Sequence, residues 1–200
     1  MNLLLLKSDM KKTIVLLILL WVAITGMAGN PVKLVKGEKD IFFTEATVRV
    51  VIDDHKVLID RRDQTADKYY GAKGADEYAK FVDDLDRAHE SFITYFNEKK
   101  RKALLTVSSD SAVQADYTLN VKVTLMNVGN AGGMVWGMSR KAGGAQIEGT
   151  MQLVDNATGE TKCIFEFAKV KGLMAPIFRA RAISVYRYLA DGLIKAVEKE

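Results

Sequence analysis

The fold class is decided by residues 117–125, which read YTLNVKVTL. Apolar and polar side chains alternate along this stretch, and a period of two is typical of a strand with one buried and one polar face. Residues 145–154, AQIEGTMQLV, alternate in the same way. The two stretches therefore predict long strands of one antiparallel or mixed sheet.

Two amphipathic helices are predicted around these strands. In residues 75–99, apolar side chains recur at spacings of three and four, and acidic side chains fill the opposite face. A second apolar stripe runs from Phe178 to Val197, just after Pro176, and proline is tolerated at a helix start. The sequence thus predicts a single α+β domain, with both helices packed on one face of the sheet.

Shorter elements complete the predicted order. A strand is expected over 42–52, and residues 57–59 are expected to be the return arm of a hairpin whose turn is 53–56. Residues 60–74 are predicted to be a loop, and 103–107 a short strand. Residues 155–160 are predicted to form a turn into a last arm at 161–168, since Asp, Asn and Gly favour tight turns.

The amino terminus is typical of a secretory signal peptide. Lys11 and Lys12 precede an apolar run from Ile14 to Ile24, and small residues lie at the third and first positions before Gly29. Residues 1–28 are therefore predicted to be a signal peptide, 29–40 an extended lead-in and 41–200 the domain. An uncleaved amino-terminal anchor is the alternative, and Met10 is a second candidate start.

Composition and charge exclude several classes of function. The chain has 200 residues and a formal net charge of +4, which falls to +2 when 1–28 is removed, because three lysines and one aspartate leave with it. An exported, nearly neutral domain is not expected to bind nucleic acid. The single cysteine, Cys163, excludes a disulfide framework and is predicted to be a core thiol in a strand. We expect no metal and no cofactor.

No catalytic constellation is evident, and no catalytic residue is assigned. Asp53, Asp54 and His55, with Asp60 and Asp63, could bind a divalent metal, but their place at an expected turn favours a structural or solvated role. The stretch from Gly137 to Lys141 lacks the final glycine of a nucleophile elbow. The basic run 99–102 is interpreted as the solvated end of a helix in preference to a binding patch.

The connection between the two long strands is the predicted partner-binding region. Residues 127–144 are glycine-rich and longer than the ~2–5 residues usual in a hairpin. An amphipathic tip of this kind could dock on a protein or a membrane surface. The alternative is that Val135 and Trp136 form a small extra strand over the core. The predicted contact residues are Met134, Trp136, Met138, Arg140 and Lys141.

The residues from Tyr78 onward also resemble a known family. Ala115-Asp116-Tyr117 opens the first long strand, Val154-Asp155 ends the second, and Thr158-Gly159-Glu160 follows. This pattern is similar to the α/β domains of the curli-secretion lipoprotein and TolB amino-terminal type in Gram-negative envelopes. The resemblance implies a non-enzymatic envelope component that works through protein contacts and often oligomerises. The chain departs from the lipoprotein members because no lipobox cysteine follows the candidate cleavage site.

We therefore predict an exported envelope domain, periplasmic or associated with the outer membrane. It is expected to bind a protein partner or an envelope surface, including in a homo-oligomer. One alternative is a small secreted hydrolase that uses acidic residues. Another is a small-ligand carrier with its cavity between sheet and helices. Five aromatic side chains would line that cavity, although we expect them to fill the core: Phe81, Phe92, Phe96, Phe178 and Tyr186.

Overall fold

The computed structural model describes residues 29–60, 63–129 and 143–199. Those from Pro31 onward belong to one compact unit. Among them are eight strands: β1 (Val32–Gly37), β2 (Thr47–Asp53), β3 (Leu58–Ile59), β4 (Gln64–Thr65), β5 (Thr106–Ser108), β6 (Tyr117–Asn127), β7 (Gln146–Asp155) and β8 (Thr161–Lys171). Three α-helices are α1 (Ala66–Gly71), α2 (Ala75–Lys99) and α3 (Phe178–Glu198), and a 3₁₀ turn spans Asp40–Phe43.

The strands form one mixed sheet in the order β1-β8-β7-β6-β2-β5. The strands β6, β7 and β8 are antiparallel neighbours, and β1 pairs antiparallel with β8 at one edge. The strand β2 lies parallel to both β6 and β5. The α+β fold with one mixed sheet is therefore confirmed.

The alternation that predicted β6 corresponds to its two faces. Leu119, Val121 and Val123 are buried, whereas Asn120 and Lys122 are exposed. The helix α2 begins and ends at the predicted residues, 75 and 99. The helices α2 and α3 pack against each other, and α3 also contacts β1 and β8, so both cover the buried face of the sheet.

Both long helices run in the same direction. Near the start of α3, Arg179 bonds Asp84 in the first half of α2, and near its end Glu198 bonds the backbone just beyond α2. The aromatic side chains between them fill the core as expected: Phe81, Phe92, Phe96 and Tyr186 are buried, and Phe178 is half-buried. Cys163 is buried in β8, and burial raises the pKa of its thiol to about 11.

The segment 29–40 does not stay outside the sheet as a lead-in. Val32 is buried and pairs with Phe167, which makes residues 32–37 the edge strand β1. The apolar alternation of Val32 and Leu34 ends at Lys36, so it is too short to predict a strand. Exposed lysines on an edge strand oppose pairing with another chain, which accounts for their presence.

The predicted hairpin at 53–59 is wrong. Both β2 and β3 run parallel to β6: Asp53 pairs with Lys122, and Leu58 pairs with Leu125. The chain therefore makes a detour at 54–57 and resumes its direction.

Two further predictions differ from the structure. The strand predicted from residue 42 begins at 47, after the 3₁₀ turn, and the predicted loop 60–74 contains β4 and α1.

The turn at 155–160 forms as predicted. The carboxylate of Asp155 accepts hydrogen bonds from the backbone N–H groups of Ala157 (2.9 Å) and Thr158 (3.1 Å). Gly159 adopts a φ of 71°, which side chains disfavour. The hydrogen bond from Thr158 contributes most to lowering the pKa of Asp155, and the bond from Ala157 also lowers it.

Glu198 fastens the end of α3 to the chain that leaves α2. One carboxylate oxygen accepts three backbone N–H groups, from Arg101 (2.7 Å), Lys102 (2.8 Å) and Ala103 (3.1 Å). Burial alone would raise the pKa of Glu198, but these three donors and the nearby Lys102 together outweigh it and lower the pKa below its ordinary value of 4.5. The ionised carboxylate is thus the form that holds the two helix ends together.

We expect Glu198→Gln to destabilise the domain by about 1 kcal/mol at pH 7, since hydrogen bonds to a charged group are the stronger ones. Because the folded-state pKa is lowered, this contribution is present above the unfolded pKa and is lost as the pH falls through the folded value. Urea unfolding of both proteins between pH 7 and pH 3 should show the difference shrink toward zero. A difference that stays constant with pH would contradict this account.

Candidate functional site

The five predicted contact residues fall in 130–142, outside the described residues. Met134, Trp136, Met138, Arg140 and Lys141 therefore remain a prediction. The structure does describe the residues on either side, at the end of β6 and before β7. Gly129 lies against Gly143 so closely that a Cβ atom on Gly129 would be 2.5 Å from the Gly143 carbonyl oxygen. The two ends of the segment thus meet at one place.

Arg181 of α3 holds the backbone next to Gly129 by a hydrogen bond. Its guanidinium is buried and donates Nε to the carbonyl of Val128 (2.9 Å). Its Nη1 donates to the carbonyls of Ala175 (2.7 Å) and Pro176 (3.1 Å). Burial lowers the pKa of Arg181 below its ordinary value. One side chain therefore joins the end of β6, the loop between β8 and α3, and α3 itself.

The loop between β8 and α3 is held at its start as well. Gly172 donates its N–H to the carbonyl of Ala145 (2.8 Å), and Leu173 donates its N–H to the hydroxyl of Ser184 (2.8 Å). A Cβ atom on Gly172 would lie 2.4 Å from that hydroxyl oxygen, so the close approach requires glycine. The backbone of residues 172–176 is thus bonded to α3 and to the residue just before β7.

This fixed loop presents apolar side chains to solvent. Leu173 is 60% exposed, Met174 50% and Ile177 60%. We call these three residues the apolar end surface. Clustered exposed apolar side chains rimmed by polar groups are typical of interaction sites. The sequence signal for this surface is the apolar run LMAPIF at 173–178.

A groove of about 320 Å³ adjoins the apolar end surface, lined by α1, α2 and the start of α3. Its wall is a stack of three rings, in which the centroids of Tyr70 and Phe81 are 4.2 Å apart and those of Phe81 and Phe178 are 5.4 Å apart. On its rim, Arg179 pairs with Asp84 (2.6 Å) and Asp83 (2.7 Å). The bond to Asp84 raises the pKa of Arg179.

A separate polar cluster lies inside the fold. Asp54, in the detour between β2 and β3, is fully buried, and its Oδ2 accepts hydrogen bonds from Tyr186 of α3 and from His89 Nε2 of α2 (2.8 Å). Burial, and then the charge of Asp54, raise the pKa of Tyr186 well above 10. Among the described residues nothing bonds Asp54 Oδ1. These hydrogen bonds join α2, α3 and the detour between β2 and β3. Asp54 and Tyr186 are buried, so we assign the cluster a structural role.

Sequence reasoning placed Asp54 in a turn and did not connect it with His89. The structural role favoured for Asp54 is found, but its partners were missed. A signal was available, because His89 lies four residues after Leu85 and three before Phe92, on the buried stripe of α2. A histidine at that spacing faces the core and needs a hydrogen-bond partner there.

No group of three or more metal-ligating side chains comes together within the described residues. In the same residues, no helix is long and apolar enough to cross a membrane.

Comparisons with known proteins give a likeness only at the level of structure. No protein-family model matches the chain, and no curated protein matches it. The resemblance to curli-secretion and TolB-type domains thus stays a prediction. Among solved structures, the chain is similar to the PelC dodecamer from Paraburkholderia phytofirmans, with 10% identity, a TM-score of 0.40, and coverage of 83% of this chain and 96% of that one. It is also similar to the dodecamer of a PelC variant from the same organism, with 13% identity, a TM-score of 0.38 and the same coverage.

Proposed function

We propose that the chain is an exported, non-enzymatic domain of the cell envelope that binds a protein partner through the apolar end surface. The observation that carries the proposal is the exposure of Leu173, Met174 and Ile177 on a backbone fixed by Arg181 and Ser184. Export is supported by the signal-peptide pattern of residues 1–28. A second copy of the chain is one such partner.

A fixed loop of exposed apolar residues suits binding for an energetic reason. Burying apolar surface contributes roughly 25 cal/mol per Å². A loop that already holds its bound shape loses little conformational entropy on association. The three side chains are therefore arranged as anchors at the centre of an interface, where a few residues supply most of the binding energy.

We also assign the predicted contact residues to the proposed interface. Gly129 and Gly143 flank residues 130–142 in the sequence. They lie close to the carbonyl of Val128, which Arg181 bonds. Trp136 is an apolar anchor in this segment, with Arg140 and Lys141 as polar neighbours in the sequence. We include Trp136 in the proposed interface, and Trp136→Ala tests its share separately.

The double variant Leu173→Ser/Ile177→Ser is expected to lose partner binding by about tenfold or more, because each anchor contributes on the order of 1–2 kcal/mol. The assay is a pull-down from envelope extract, followed by titration of the purified partner. Analytical ultracentrifugation of the chain alone detects a second copy as the partner.

The matched control is Val35→Ser/Leu104→Ser, which removes two exposed apolar side chains of β1 and the α2–β5 connection. This control is expected to bind as the wild type does. Equal binding by all three proteins would exclude the apolar end surface from the interface.

A further inference from the structure

The opposite end of α3 forms a basic cleft, which the proposed function does not use. It lies between the carboxyl ends of α2 and α3 and has a volume of about 570 Å³. The basic run that ends α2 supplies four cations, and α3 supplies two more from the far end of the sequence. The cationic residues of this basic cleft are Lys99, Lys100, Arg101, Lys102, Lys195 and Lys199.

The positive charge of the basic cleft exceeds the negative charge of its carboxylates and of the two helix dipoles. Six cations line the cleft against the carboxylates of Glu98, Asp191 and Glu198, which leaves a net charge of +3 among the lining residues. Parallel helices place both negative dipole ends here, and each is equivalent to about −0.5 charge. Roughly two positive charges are left unmatched, so helix capping alone does not account for the cluster.

Three of the cationic side chains form no hydrogen bond or ion pair with another described residue. Lys195 pairs with Asp191, and Lys100 donates to the carbonyl of Leu105. The side chains of Lys99, Arg101 and Lys199 form no hydrogen bond or ion pair with any residue in the described ranges. They are exposed at the mouth of the cleft.

The backbone at this place already binds one anionic oxygen. The consecutive N–H groups of residues 101–103 all point at one carboxylate oxygen of Glu198. Successive N–H groups that converge in this way form an anion-binding concavity. The local field therefore favours a negative oxygen, and the carboxylate of Glu198 satisfies the backbone donors but not the three free side chains.

We infer that the basic cleft binds a phosphoryl group, carried either by a soluble phosphate ester or by an anionic lipid headgroup. Lysine ammonium groups bind phosphate as point charges, and the guanidinium of Arg101 can bond two of its oxygens at once. The helix α3, of 21 residues, spans about 30 Å, so the cleft and the apolar end surface lie far apart. The basic cleft and the apolar end surface can therefore be tested independently of each other.

The test uses the protein as it is produced in cells, in two arms. One arm titrates pyrophosphate by calorimetry, and the other measures co-sedimentation with vesicles that contain phosphatidylglycerol, against vesicles of phosphatidylcholine alone. The variant Lys99→Gln/Arg101→Gln/Lys199→Gln is compared with Lys33→Gln/Lys36→Gln/Lys122→Gln. The second set removes three exposed cations of β1 and β6, so the two proteins have equal net charge.

We expect binding in at least one arm, weakened by added salt. The cleft variant should bind at least tenfold less pyrophosphate, or roughly 100-fold less to phosphatidylglycerol vesicles, while the matched variant changes much less. Binding of pyrophosphate alone assigns a soluble ligand, and binding of vesicles assigns a lipid headgroup. The inference is overturned if the wild type binds in neither arm, or if both triple variants lose binding equally.

Discussion

Replacing His89 with leucine is expected to destabilise the domain by about 1–3 kcal/mol, the cost of leaving a buried polar group without its hydrogen-bond partner. Asp54 is fully buried, and His89 Nε2, at 2.8 Å, is one of the two donors that bond it among the described residues. Without the imidazole, the carboxylate retains only the hydroxyl of Tyr186 among the described residues. An underbonded buried carboxylate is among the most costly groups in a protein interior.

Urea unfolding at pH 7 measures this effect. His89→Gln serves as the control, because its amide can still donate a hydrogen bond to Asp54, and it should recover part of the lost stability. The double variant Asp54→Leu/His89→Leu should be less destabilised than the sum of the two single variants, since it leaves no charge unpaired. Additive effects would show that the two residues do not act as a pair.

Replacing Arg181 with methionine is expected to destabilise the domain by about 2–4 kcal/mol. The guanidinium donates to the carbonyls of Val128, Ala175 and Pro176, and each hydrogen bond from this charged group contributes about 1 kcal/mol. Because the same bonds hold the backbone of the apolar end surface, partner binding should also weaken. Neither Leu173 nor Ile177 is altered in this variant, so any loss of affinity reports on their positions.

Arg181→Lys separates charge from geometry. Lysine keeps the charge, but its single ammonium does not reproduce a planar fork that reaches carbonyls of two different segments. We expect it to recover less than half of the stability lost in Arg181→Met, as measured by urea unfolding. Full recovery by lysine would show that the positive charge alone matters at this position.

The regular parts of the fold could be predicted because their signals are local. The alternation of β6 and the stripe of α2 each repeat over many residues, and the basic run 99–102 indicated where α2 ends. The turn at 155–160 was equally local, since Asp155 bonds the backbone of residues two and three positions on. For such elements the sequence neighbours supply most of the structural information.

The direction of β3 could not be predicted, because it depends on a distant contact. A polar stretch at 53–56 is typical of a hairpin turn, and nothing within it shows that Asp54 points inward. The inward position requires donors from His89 and Tyr186, which lie 35 and 132 residues away. The edge strand β1 was missed for a similar reason, since its pairing with β8 bridges more than 120 residues.

The apolar end surface was not predicted from the sequence, and the contact residues predicted in the connection 127–144 lie outside the described residues. The glycine-rich connection 127–144 directed attention to this end of the sheet. Leu173, Met174 and Ile177 were overlooked because apolar residues before a helix are ordinarily expected to be buried. Their exposure follows from the bonds of Arg181 and Ser184, which hold the backbone away from the core.

The central claim is most directly tested by photo-crosslinking from position 177 in living cells. A photoreactive phenylalanine analogue in place of Ile177 should give one dominant crosslinked protein, identified by mass spectrometry, whereas the same analogue at Leu104 should give none. Both side chains are exposed to a similar degree, so exposure alone would label them equally. If position 177 gave no product, or the same products as position 104, the apolar end surface would not be a binding site.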